Sequence, residues 1–129
     1  MLVRLLDSVI LIDHLNDIPQ ATEFISGLDP DETAISVITR AEILAGFTDE
    51  SIEKAKSLLD QYTLLVIDKA VADKAAELRR EFRWKLPDAF QAALAINGQT
   101  KLSTRNVRDF DPGKHSFVEI PYKLQQAMT

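Results

Sequence analysis

The stretch "MLVRLLDSVIL" (residues 1–11) decides how the rest of the chain is read. An apolar run from Leu2 to Leu6 stops at Asp7, and apolar residues resume two positions later. The first half reads as a short strand, and "SVILIDHL" (8–15) reads as a helix ended by "NDIP". Asp7 therefore stands at a strand–helix junction, where burial tends to be deep. One carboxylate in such a place can be a helix cap. Its meaning depends on whether other carboxylates occupy comparable junctions.

Downstream, apolar strands and helical patterns keep alternating. "PQATEFISGL" reads as a helix with Pro19 at its start and Gly27 near its end. "ETAIS" reads as a strand followed by the helical "VITRAEILAGF", and "DESIEKAKSLLDQY" as an amphipathic helix with Ile52, Leu58 and Leu59 facing inward. "TLLVI" reads as a continuous apolar strand, and Asp68 as the cap of the helix "KAVADKAAELRREF". "LPDAFQAALAI" opens a further helix at Pro87, "KLST" is a strand, and "SFVEI" is the last one. Strands separated by helices predict an α/β fold: a three-layer α/β/α sandwich around a mostly parallel sheet of four or five strands. No repeat or linker divides it, so residues 1–129 are expected to form a single domain.

Composition narrows the chemistry. The 129 residues contain no cysteine and two histidines, His14 and His115. Thiolate nucleophiles, disulfides and Cys-based metal sites are excluded, and a His-rich site is out of reach. Any bound metal must be held by oxygen, which points to Mg²⁺ or Mn²⁺. The formal charge of −5 gives no global basic field to attract nucleic acid. A polyanion would have to be bound through metal ions and a local basic patch. The N-terminal run carries Arg4 and Asp7, which suits neither a signal peptide nor a membrane span, so a cytoplasmic protein is expected.

In open parallel sheets, ligands bind beyond the carboxyl ends of the strands. Four acids fall at such places: Asp7 after the first strand, Glu42 in the helix after the second, Asp88 in the first turn of "LPDAFQAALA", and Asp109 soon after "KLST". Singly, each has an ordinary explanation as a cap, a solvated helix residue or a turn former. Glu42, however, adjoins the stripe Ile38–Ala41–Ala45 instead of lying opposite it. Four acids meeting over a sheet edge would raise one another's pKa unless a cation neutralised them. Mg²⁺ resolves that conflict and keeps waters that a phosphate can displace. Such a metal can lower the pKa of a bound water for phosphodiester cleavage. On this reading Asp7 is a metal ligand before it is a cap.

"LLDSVILIDHL", "TRAEILAG", "LPDAFQAALA" and "STRNVRDF", in that order, resemble the PIN-domain ribonucleases, and within them the VapC-type toxins of bacterial toxin–antitoxin pairs. The resemblance covers nearly the whole chain. It implies a Mg²⁺- or Mn²⁺-dependent endoribonuclease that acts through metal-activated water. It also implies neutralisation by a small VapB-like antitoxin, a homodimer, a toxin–antitoxin hetero-oligomer, and DNA contact only through the antitoxin. Carried over by position, the catalytic and metal-binding acids are Asp7, Glu42, Asp88 and Asp109, with Asn106 and Asp111 as nearby alternatives to the last. Ser8, Thr104 and Asn106 match polar positions beside the metal. Two departures stand out. Val9 replaces a small polar residue, and Gln91 stands where an apolar residue is common. The other reading these departures allow is a catalytically weak module that acts mainly through antitoxin binding and operator regulation.

"RREFRWK" places Arg79, Arg80, Arg83 and Lys85 around Phe82 and Trp84, just before Asp88. Basic side chains can hold an RNA backbone while an exposed aromatic stacks on a base, so Trp84 is either an RNA platform or core. Arg105 and Arg108 flank the fourth motif and are further RNA-binding candidates. His14 is read as a packing or surface residue and Asp13 as solvated. A phosphoacceptor receiver domain is rejected, because Ser8 and Val9 stand where a second acid would be needed.

Overall fold

A computed structural model of the chain describes residues 1–124. Strand β1 (Arg4–Leu6) is followed by helices α1 (Ser8–Leu15) and α2 (Pro19–Ser26). Next come β2 (Thr33–Ser36), α3 (Val37–Ala45), α4 (Ile52–Leu59) and β3 (Thr63–Leu65). The long α5 (Lys69–Phe82) leads to α6 (Leu86–Asn97), β4 (Lys101–Ser103) and β5 (Val118–Glu119). The sheet has five strands in the order β3-β2-β1-β4-β5, and every neighbouring pair is parallel. That is the expected three-layer α/β sandwich.

Period-two alternation builds the layers. Leu5 and Ala34 join a core cluster with Val71, Ala75 and Leu78 of α5 and the alanines of α6. Leu6 and Ile35, the next residues along β1 and β2, join Ile10 and Leu11 of α1, Ile43 of α3 and Leu59 of α4 in a separate cluster. One side of the sheet is thus covered by α5 and α6 and the other by α1 to α4. Each fully buried Leu or Ile contributes about 1.5–3 kcal/mol of apolar transfer free energy. In α6 the buried Ala89, Ala92, Ala93 and Ala95 let the helix approach its neighbours closely. That close approach also buries Gln91, which is 1% exposed.

Helix ends follow the local chemistry. Ser36 caps α3 by accepting from the Thr39 amide, and Asp68 caps α5 by accepting from the Val71 amide, as its position led us to expect. Helix α5 stops at Arg83, which takes a left-handed conformation (φ 60°), and the Arg83 amide donates to the Arg79 carbonyl at 2.8 Å. The Arg79 guanidinium then donates to the Trp84 carbonyl at 2.6 Å, fixing the link into α6.

Two elements differ from the sequence reading. "TLLVI" yields only β3 at the sheet edge, where Leu64 and Val66 are 43% and 65% exposed. "SFVEI" yields only the two residues of β5, the opposite edge. β1 lies at the centre. The chain runs outward from it to β2 and β3, then crosses to β4 on its other side, leaving a crevice at the carboxyl ends of β1 and β4.

Candidate active site

Asp7 enters this crevice from the end of β1. It is 8% exposed, and it does occupy the N-cap position of α1, accepting from the Ser8 amide at 2.9 Å. Its second oxygen accepts from Thr104 Oγ1 at 2.7 Å, just past β4. Gln91 of α6 donates from Nε2 to Asp7 Oδ1 at 3.3 Å and to Thr39 Oγ1 at 2.7 Å. Ser8 Oγ donates to Glu42 Oε1 at 2.9 Å and lies within hydrogen-bond distance of Thr39 Oγ1, at 3.1 Å, whose hydroxyl can donate to it. Asp7 and Glu42 are therefore tied into one hydroxyl-and-amide network, to which α6 contributes Gln91. Sequence reasoning passed over Thr39, its central member. The only signal was an excess of hydroxyl residues at the β2–α3 junction, "SVIT".

An open cleft of about 530 Å³ lies over this network. Asp7, Ser8, Glu42, Asp88 and Asn106 line it, together with Val9, Gln91, Arg105 and Arg108. Asp88 carries the electrostatic signature of the group. Burial, followed by the charges of Asp7, Asp109 and Glu42, pushes its pKa up to about 6, against a smaller opposing pull from Lys85. Asp109 does not line the cleft. Its carboxylate accepts from Asn106 Nδ2 at 3.1 Å and acts on Asp88 through space. Asp111 is a turn residue, its Oδ1 accepting from the Gly113 amide at 2.8 Å.

As the side chains stand, no three acidic or histidine groups among the described residues are arranged to hold one metal ion. Several of these carboxylates are held by protein donors: Asp7 by Thr104 and Gln91, Glu42 by Ser8, and Asp109 by Asn106. The donor set nevertheless fits a hard divalent cation. It is all oxygen, and burial together with the neighbouring charges of Asp7, Asp109 and Glu42 disfavours the bare Asp88 carboxylate, which a cation would offset. Asp7, Glu42 and Asp88, with Asn106 or Asp109, are the residues that could hold it.

Several sequence readings need correction. The stripe Ile38–Ala41–Ala45 is not core. Ala41, Glu42 and Ala45 are exposed, and α3 buries Thr39 and Ile43 instead. Glu42 reaches the site from an exposed face, so an apolar surrounding is no argument for it. Trp84 is 5% exposed and packed against Phe82, Phe110, Phe117 and His115, which leaves its ring no face for an RNA base. Asp13 is not solvated. It is 6% exposed, pairs with Arg105 through two contacts of 2.7 and 3.0 Å, and accepts from the Tyr122 hydroxyl at 2.8 Å. The bond to Asp13 raises the Arg105 pKa, and burial followed by Asp13 raises that of Tyr122.

Of the other RNA-binding candidates, Arg79, Arg80, Arg83, Lys85 and Arg108 are all exposed, and Arg79 is in addition tied to the Trp84 carbonyl. His14 hydrogen-bonds Thr22 Oγ1 at 2.9 Å, consistent with a packing role. Val9 is half-buried at the cleft wall.

The sequence matches the family model of the PIN domain over residues 4–111. The chain belongs to the PIN-domain family. Its fold matches a chain of a toxin–antitoxin complex from Klebsiella pneumoniae with a TM-score of 0.86 at 30% identity, covering 94% of this chain and 99% of that one. It also matches DNA-bound VapBC from Salmonella typhimurium (TM-score 0.72, 21% identity, 86% and 92% covered). A third match is FitAcB from Neisseria gonorrhoeae (TM-score 0.78, 21% identity, 92% and 98% covered). The last two, at their low identity, show the shared fold alone. No curated protein sequence matches this PIN domain. Among the described residues no helix is long and apolar enough to cross a membrane.

Proposed function

We propose that this PIN domain is the toxin of a type II, VapBC-like toxin–antitoxin system and acts as a Mg²⁺- or Mn²⁺-dependent endoribonuclease. The observation that carries the proposal is the convergence of Asp7, Glu42 and Asp88 on one open cleft at the carboxyl ends of β1 and β4. The raised pKa of Asp88 adds to it. When bound, a divalent cation supplies Lewis acidity and a nucleophilic water for phosphodiester hydrolysis. The protein's part is orientation. Thr104 and Gln91 fix the Asp7 carboxylate from two sides, and Ser8 steers Glu42 toward the same cleft. Asn106 lines the cleft and holds Asp109 in reserve, as a support for a second ion or for the water. Arg108, exposed at the rim, is suited to a backbone phosphate.

The partners follow from the family and from the Klebsiella relative, a toxin–antitoxin complex. They are a VapB-like antitoxin, a second copy of this chain in a homodimer, and promoter DNA reached through the antitoxin alone. The working compartment is the cytoplasm, where the RNA is, and residues 1–129 act as one domain. A second reading, a weak nuclease that acts mainly by binding its antitoxin, is favoured by Val9, half-buried at the cleft wall where it offers the neighbouring acids no hydrogen bond. Purified protein assayed on RNA with Mg²⁺, Mn²⁺ or EDTA, beside Asp7→Asn, decides between them. Metal-dependent cleavage lost in Asp7→Asn supports the nuclease. Equal traces of cleavage in both proteins support the second reading.

A further inference from the structure

The basic–aromatic stretch before α6 loses Trp84 to the core, yet the stack it belongs to reaches the surface. Phe82 lies nearly parallel on Trp84, with ring centroids 4.6 Å apart and planes 19° apart, and is 38% exposed. His115 meets both rings edge-on, at 4.9 Å from Phe82 and 5.1 Å from Trp84. These rings line a second pocket of about 440 Å³. Val107 and Arg108 line both this pocket and the acid-lined cleft, so the two are neighbours on one surface. Val107 is 50% exposed, an aliphatic surface beside the aromatic one.

The polar groups are mixed. Arg108 and Lys114 supply positive charge, and Asp109 and Asp111 supply acceptors. The backbone amides of Lys114 and His115 both donate to the Asp111 carbonyl at 2.9 Å, so a closed turn sets their positions. A hole for a bare phosphate has no use for two carboxylates. A nucleobase does, because its edge carries both donors and acceptors, its faces suit aromatic and aliphatic surface, and its phosphate suits a rim cation. Arg105, on the shared loop, is already committed to Asp13, which leaves Arg108 and Lys114 as the cations along this path.

We infer that the Phe82–Lys114–His115 pocket is a nucleobase subsite, taking a base of single-stranded RNA next to the phosphate held in the acid-lined cleft. The inference deepens the ribonuclease reading and rests on it for the identity of the polymer.

Trp84 is the chain's single tryptophan and lines this pocket, so its emission reports occupancy without metal or turnover. Full-length protein in EDTA is titrated with nucleoside 5′-monophosphates and with a short single-stranded RNA. A saturable change in emission is expected. Phe82→Leu, which removes the exposed ring, and Lys114→Ala, which leaves the stack intact, should each weaken the midpoint, the former by about 5- to 150-fold. No saturable change, or equal midpoints in wild type and Lys114→Ala, overturns the subsite. Cleavage of the same RNA with Mg²⁺ is followed in parallel. Cleavage without an emission change sinks the subsite and leaves the ribonuclease standing. A specific emission change without cleavage does the reverse.

Discussion

Gln91 and Thr39 are joined across the interface of α6 and α3 by a 2.7 Å hydrogen bond from Nε2 to Oγ1, while the same nitrogen reaches Asp7. The other end of the amide, Oε1, is buried without a protein partner. Gln91→Leu removes an unsatisfied acceptor together with the Asp7 contact, so stability should change little. Divalent-metal affinity should fall about 10- to 100-fold, the usual effect of losing a group that orients a ligand. Calorimetric metal titration beside thermal melting checks both. Unchanged affinity with a large loss of stability would make Gln91 a packing residue only.

Asp88 gives the metal-free protein a defined pH response. Its pKa rises from 3.8 to about 6 on folding, so the folded state keeps the proton to higher pH than the unfolded chain does. The resulting stabilisation is complete below 3.8 and is lost as pH rises through about 6. Melting temperature in EDTA should therefore fall across that window in wild type, and this component of the fall should be absent in Asp88→Asn. At neutral pH a divalent cation should restore stability, by about 2.7 kcal/mol at a hundred times its Kd. Superimposable pH profiles for the two proteins would refute the assignment.

The Asp13–Arg105 pair fastens the loop after β4 to α1, with Tyr122 completing it. Arg105→Ala strands a buried carboxylate, and the expected loss is about 3 kcal/mol. Urea unfolding measures it. A loss below about 1 kcal/mol is what an exposed pair would give.

Trp84→Ala empties the centre of an aromatic cluster and should cost about 3–5 kcal/mol. The melting curve decides. A protein that melts like wild type but binds RNA more weakly would return Trp84 to the surface role it loses here.

Which features could be read from the sequence depended on how far apart the contributing residues lie. The β1–α1 junction, the cap at Asp68 and the order of strands and helices follow from neighbours within a few residues. Asp13 looked solvated because the charges around it in sequence give no hint of Arg105 and Tyr122, which reach it only after the chain has crossed the sheet. "TLLVI" reads as one continuous strand but pairs only over Thr63–Leu65, and its place at the edge could not be read because strand order is set by the crossovers. The stripe beside Glu42 misled because a nine-residue helix buries only a narrow face, here Thr39 and Ile43. Trp84 and Phe82 differ by two positions, and Trp84 is covered by Phe110, His115 and Phe117, rings that lie far along the chain and give no local sign of it.

The bond between Thr104 and Asp7 spans 97 positions, and β1 finds its partner β4 across the same distance. Contacts so remote in sequence form late, after the intervening loops have been closed. A ribosome that has made α1 to α5 has made Asp7 and Glu42 but neither Asp88 nor a cleft, because α6 and the strand that completes the crevice have not yet been synthesised. Partial translation products are therefore inert, whatever the finished protein does to RNA.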